Sequence, residues 1–165
     1  MFQLKVIAKE TIPRAIEKAE RYRLLNEPRE AESICLDVLA IEPAHQKALI
    51  CLLLALADQF GAGDGALVAQ ARQILPRLHG KYEQVYYAGI ISEREARAQF
   101  AQSHPGASAN AYDSLRDAMD FYERADELAA PGDDDAVLRY NTCVRMIQRH
   151  SLVPPSRDEN ELPLE

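Results

Sequence analysis

The chain has 165 residues, 47% of them hydrophobic and 27% charged, and its 19 Lys and Arg against 26 Asp and Glu leave a net charge of −7. A domain of this length buries roughly 70% of the surface its unfolded chain exposes, so the composition excludes wholesale disorder. The acidity argues against nucleic acid as a partner, because that affinity comes largely from Lys and Arg neutralising phosphates.

Helical periodicity runs through nearly the whole chain, and no stretch sustains the alternation of a half-buried strand. The segment from Met1 to Glu10 has no basic leader, and its apolar run is too short and interrupted for a signal peptide. Thr11-Ile12-Pro13 reads as the start of the first helix, since a hydroxyl can cap free amides and Pro is tolerated in the first turn. Six further helices are expected over 28–41, 45–60, 65–78, 81–102, 109–129 and 134–150. They are punctuated by Asn26-Glu27-Pro28, Glu42-Pro43-Ala44-His45, Gly61-Ala62-Gly63-Asp64-Gly65, His79-Gly80, His104-Pro105-Gly106 and Pro131-Gly132. Pro76 should tighten the fourth helix or end it early. The acidic tail over 151–165 has prolines and little to bury, and is expected to be mobile, or to dock Leu162 and Leu164 in a groove of this or a neighbouring chain. The longest apolar stretch, Ala48 to Ala57, is too short to span a membrane.

Connections of this length fold consecutive helices back antiparallel. Helical hairpins result, and an internal repeat decides whether they close into a bundle or stack. Ala19, Tyr22, Ala31, Val38 and Pro43 form a pattern of small, aromatic, small, apolar and terminating residues. Parts of it recur at Val85, Ala88 and Gly89, at Ala118, Tyr122 and Ala125, and at Arg139-Tyr140-Asn141-Thr142-Cys143. A weaker copy has Leu49, Leu52 and Leu53 in one helix and Ala71, Ile74 and Leu75 in the next. On these residues the chain resembles the tetratricopeptide repeat family, with Lys18, Ala15 and Cys35 departing from the usual leucine, tryptophan and aromatic. The resemblance implies an all-α fold over 1–150: antiparallel helical hairpins stacked as a short right-handed superhelix of about seven helices. The third hairpin, between Gly89 and Ala118, is longer than the repeat allows and reads as two lengthened helices.

In that family the first helix of each pair lines a concave groove. Carried over residue by residue, the groove comprises Ile50, Cys51 and Leu54, then Tyr86, Tyr87 and Ile90, then Tyr140, Asn141 and Val144. Burying an aliphatic or aromatic side chain is worth roughly 1.5–3 kcal/mol, so partial cover of several supports micromolar binding of a peptide or helix. The amide of Asn141 suits an extended backbone. The alternative is a groove that is narrow, or filled by the protein's own N-terminus or tail. The family's carboxylate clamp is not expected, because Ile16, Glu20 and Cys51 stand at its matching positions.

Elsewhere the chemistry is sparse. The loop Gly61-Ala62-Gly63-Asp64-Gly65 follows a helix and lacks the Lys-Ser/Thr of a phosphate loop, so it reads as a hairpin turn. His45, His79, His104 and His150 sit at helix ends or in loops without metal-ligand spacing. Cys35, Cys51 and Cys143 lack Cys-x-x-Cys spacing and read as small core residues of a reducing compartment, most simply the cytoplasm. Asp113, Asp117 and Asp120 form an acidic stripe and Asp133, Asp134 and Asp135 a cluster. With Arg116 and Arg124 nearby these read as a salt-bridged surface and a helix start, or as a patch for a basic partner. Between Asp113 and Asp135 lie nine acids and two arginines, a surplus equal to the entire net charge.

The function expected is a non-enzymatic adaptor without cofactor or metal that binds a protein or peptide in an apolar, aromatic groove. The alternatives are a structural subunit that self-associates as a homo-oligomer, and a cytoplasmic chaperone of secreted proteins.

Overall fold

A computed structural model describes residues 1–61 and 65–155. Ala62, Gly63 and Asp64 of the glycine-rich loop and residues 156–165 of the tail, with Leu162 and Leu164, lie outside the described residues. The described chain is all-helical, with no strand. Its seven α-helices are α1 (Ile12–Leu24), α2 (Pro28–Ile41), α3 (Gln46–Ala57), α4 (Gly65–Ile74), α5 (Lys81–Phe100), α6 (Ala107–Asp126) and α7 (Asp135–His150).

Local chemistry accounts for most helix ends. Pro28 opens α2 in its first turn, where a missing N–H costs nothing. His45 caps α3, its Nδ1 accepting the Ala48 N–H at 3.2 Å. Pro76 ends α4, and the chain leaves through a 3-10 turn at Leu75–Arg77. Thr11 differs from expectation: it lies in a 3-10 turn at Lys9–Thr11, with φ −87° and ψ −6°, and its hydroxyl donates backward to the Ala8 carbonyl at 2.6 Å. A helical backbone at that position aims the hydroxyl away from the amides it was expected to cap. Helix α7 ends at His150, at the expected boundary, but the first residues of the expected tail are held in place. Ser151 takes a left-handed conformation, the Leu152 N–H bonds the Ile147 carbonyl at 3.0 Å, and Leu152 is buried.

Neighbouring helices pack as hairpins, most extensively α5 with α6, both 20 residues long. Small residues lie where helices cross: Ala19, Ala31, Ala71, Ala118 and Ala125 are wholly buried, which lets backbones approach closely. The apolar interior has two parts. One joins α1 to α4 around Leu49, Leu53, Cys35 and Val38; the other joins α5 to α7 around Leu115, Tyr122, Ala118 and Cys143. Ile91 of α5 reaches into the first part, and the half-buried Leu54 and Tyr87 pack against both. The junction between the two parts runs along α5, and much of it is polar.

Candidate functional site

Helix α5 carries the polar centre of the molecule. Gly89, Glu93 and Ala96 recur at i, i+4 and i+7 and are all buried, so one face of α5 presses on α6. A Cβ at Gly89 would stand 2.6 Å from Cε1 of Tyr122, so only glycine admits that ring. The Tyr122 hydroxyl donates to Oε2 of Glu93, one turn beyond Gly89, at 2.8 Å. Oε1 of Glu93 accepts from Nη2 of Arg97 and from Nη2 of Arg139, both at 2.7 Å. Glu93 is thus a fully buried carboxylate held by two guanidinium groups and a phenol, from α5, α6 and α7. Burial and the Glu93 charge push the Tyr122 phenol well above its ordinary range. Burial works to lower Arg139, but Glu93 together with the Tyr122 and Tyr86 phenols outweighs it and the guanidinium is raised.

A second ion cluster bridges the two parts of the core. Asp58, just past α3, accepts from Nε of Arg23 at 2.8 Å, and lies 2.8 Å from Nη2 of Arg23 and 3.5 Å from Nη1 of Arg94. Arg72 of α4 meets Glu95 of α5 at 3.1 Å. Burial lowers Arg94, opposed by Asp58 and reinforced by Arg97 and Arg139, so three guanidinium groups crowd this stretch of α5. The Nε atoms of Arg94 and Arg139 are buried without a hydrogen-bond partner among the described residues.

The nine expected groove residues fall into three settings. Cys51 and Ile90 are buried in the core and line no open surface. Each lies on the side of its helix that faces the packed neighbour, one position out of phase with the exposed face. Ile50, Leu54, Tyr86, Tyr87 and Val144 are half-buried, with one side against the core. Tyr86 stacks on Tyr82 with centroids 5.6 Å apart, meets Tyr87 edge-on at 5.2 Å and tilts against Tyr122 at 5.9 Å. Tyr140 and Asn141 line a different cleft, of about 340 Å³, between α6 and α7 with Tyr122, Glu123, Asp126, Ala136 and Val137. The expected row therefore does not run unbroken from α3 to α7.

Asp113, Asp117, Asp120, Asp134 and Asp135 are exposed, and Asp120 meets Arg116 only at 3.8 Å. Asp133 is half-buried, and its Oδ1 accepts the Asp135 N–H at 3.1 Å, so part of this cluster shapes the start of α7. All three cysteines are buried and free. The Cys35 thiol is pushed well up by its hydrogen bond to Cys51 and by burial, while accepting that bond lowers Cys51. Burial pushes Cys143 up to about 12. Among the described residues no group of His, Cys, Asp and Glu has the arrangement of a metal site, and no helix is long and apolar enough to cross a membrane.

Sequence reasoning placed Tyr122 and Arg139 in the repeat pattern but gave Glu93 no buried role, because Glu93 and Arg97 at i and i+4 look like an exposed helix pair. The usable signal was the phase of Glu93 with Gly89 and Ala96. No protein-family model, curated protein or solved structure matches the chain.

Proposed function

We propose that the protein is a non-enzymatic interaction module of the tetratricopeptide type, which binds a peptide or helix of a partner protein along the α3–α5 junction. The observation that carries this reading is the half-buried row of Ile50, Leu54, Tyr87 and Tyr86, which offers apolar and aromatic surface beside the paired guanidinium groups of Arg23 and Arg94. Side chains already packed on one side lose little freedom on binding, so the surface they still expose contributes efficiently to affinity. Three buried, free cysteines support a reducing, cytoplasmic setting.

The test compares partner recovery, by affinity purification and mass spectrometry, between the natural chain and Tyr87→Ala. The expected result is loss of specific partners by the variant at an unchanged helical content. Identical recovery profiles would remove the groove from consideration.

A second reading, self-association, draws on the N-terminal arm. Phe2, Leu4 and Val6 are almost fully exposed in a segment outside regular secondary structure ahead of α1. Three apolar side chains in such a segment suit the surface of a second copy. Light scattering that finds a monomer at high concentration rejects this reading.

A further inference from the structure

Towards the C-terminal ends of α5 and α7 lies a pocket of about 320 Å³ with an unusual lining. Arg97 comes from α5, and Thr142, Arg145, Met146, Arg149 and His150 come from α7. No acidic residue lines it, although the chain as a whole carries a net charge of −7. Thr142, Arg145 and Arg149 recur at i, i+3 and i+7, which puts both arginines on the face turned to the pocket. His150 is held at its end by the Phe100 ring, with centroids 4.4 Å apart.

Two of the charges here are not matched from within. Arg97 is ion-paired with Glu93, whereas Arg145 and Arg149, like several other surface arginines, have no ion pair among the described residues. Glu93, the ion-pair partner of Arg97, already divides one oxygen between Arg97 and Arg139. A basic residue in the last turn of a helix has an ordinary explanation in the helix dipole. That accounts for Arg149 and His150, and for Arg97 in the last turn of α5, but not for Arg145, a turn earlier. The last carbonyls of α7 are moreover occupied, Ile147 by the Leu152 N–H and Gln148 by that of Ser151. The Thr142 hydroxyl donates to the Leu138 carbonyl, so the donors facing the pocket are the guanidinium and imidazole groups.

We propose that this pocket binds an oxyanion on the partner, a phosphorylated or acidic side chain of the peptide that occupies the α3–α5 junction. The inference rests on the interaction-module reading for its partner, but the anion site itself can be measured alone. Guanidinium forks match phosphate and carboxylate oxygens in pairs, and clusters of arginines are the usual recognition device for such groups.

Three fluorescein-labelled pentapeptides test it, one with a central phosphoserine, one with glutamate and one with serine, together with inorganic phosphate followed by amide NMR. Inorganic phosphate should shift the amide signals of Arg97, Thr142, Arg145 and Arg149 before any others. The phosphoserine peptide should bind more tightly than the serine peptide, and the double substitution Arg145→Gln, Arg149→Gln should weaken it at least about tenfold. Better binding of the glutamate peptide identifies a carboxylate as the anion; better binding of the phosphoserine peptide identifies a phosphoryl group. Arg116→Gln, on the exposed face of α6, should change nothing. Phosphate-induced shifts scattered over the surface, equal weakening by Arg116→Gln, or tighter binding of a labelled oligodeoxynucleotide than of any peptide would overturn the proposal. Tyr87→Ala should leave inorganic phosphate binding intact. If that variant also leaves partner recovery intact, the module reading fails while the anion site stands.

Discussion

Glu93→Gln perturbs the molecule at its most constrained point. The natural carboxylate is buried to 1% exposure and takes three charge-assisted hydrogen bonds, at 2.7, 2.7 and 2.8 Å. The amide keeps the shape but removes the negative charge, so Arg139, 27% exposed and with its Nε already unpartnered, remains as a poorly compensated cation. Removing one partner of a buried pair costs about 3–5 kcal/mol. Arg97 is 44% exposed and can turn to water, which places the cost near the lower end, at about 3 kcal/mol. For a chain of this length that corresponds to a fall in Tm of roughly 6–12 °C. Circular-dichroism melting and urea denaturation would measure it. The double variant Glu93→Gln, Arg139→Gln should recover part of the loss, with a coupling of about 1–3 kcal/mol. A fall below about 2 °C, or additive single and double variants, would refute the reasoning by showing that Glu93 is hydrated or that Arg139 does not depend on it.

Gly89→Ala should destabilise the chain even though alanine is the better helix former: the new Cβ would meet the buried Tyr122 ring at 2.6–3.0 Å, and overpacking of about 1–3 kcal/mol exceeds the gain of about 1 kcal/mol in propensity. A higher urea midpoint for the variant would contradict the close approach. Tyr82, Tyr86, Tyr87 and Tyr122 all have phenols raised chiefly by burial, Tyr87 up to about 12, so folding favours their neutral forms. Their contribution is complete below the ordinary value of 10.0 and is lost as pH rises through the folded values, with Tyr87 titrating at about 12. Phenolate absorbance should show these four ionising late and together with alkaline unfolding; early, reversible ionisation of all seven tyrosines would rule this out. Asp133→Ala should cost about 1 kcal/mol by freeing the Asp135 N–H at the start of α7, read as a lower melting temperature, and an unchanged melt would leave that bond without energetic weight.

The candidate site was only partly legible in the amino-acid order. Tyr86 and Tyr87, carried over from the repeat resemblance, lie on α5 and are both half-buried. Cys51 and Ile90 were misplaced because neighbours along a helix differ by about 100° in direction, so a one-residue error in phase turns a core side chain into a surface one. Tyr140 and Asn141 were expected on the same wall as Tyr87, yet they face α6, because the rotation of α7 about its axis is set by Ala136 and Cys143 packing inward.

What the sequence determined by itself is the local structure: seven helices, their punctuation by Pro and Gly, the small residues that let hairpins close, and the concentration of acid between Asp113 and Asp135. These follow from periodicity and turn chemistry acting over a few residues. Tertiary structure alone decided which charges are buried and which are left unmatched. Glu93 meets Tyr122 at a separation of 29 residues and Arg139 at 46, and Arg97 joins α7 around the cationic pocket. A pairing of that kind depends on the stacking of α5, α6 and α7, and electrostatic energy depends on distance and burial, neither of which is a property of position along the chain.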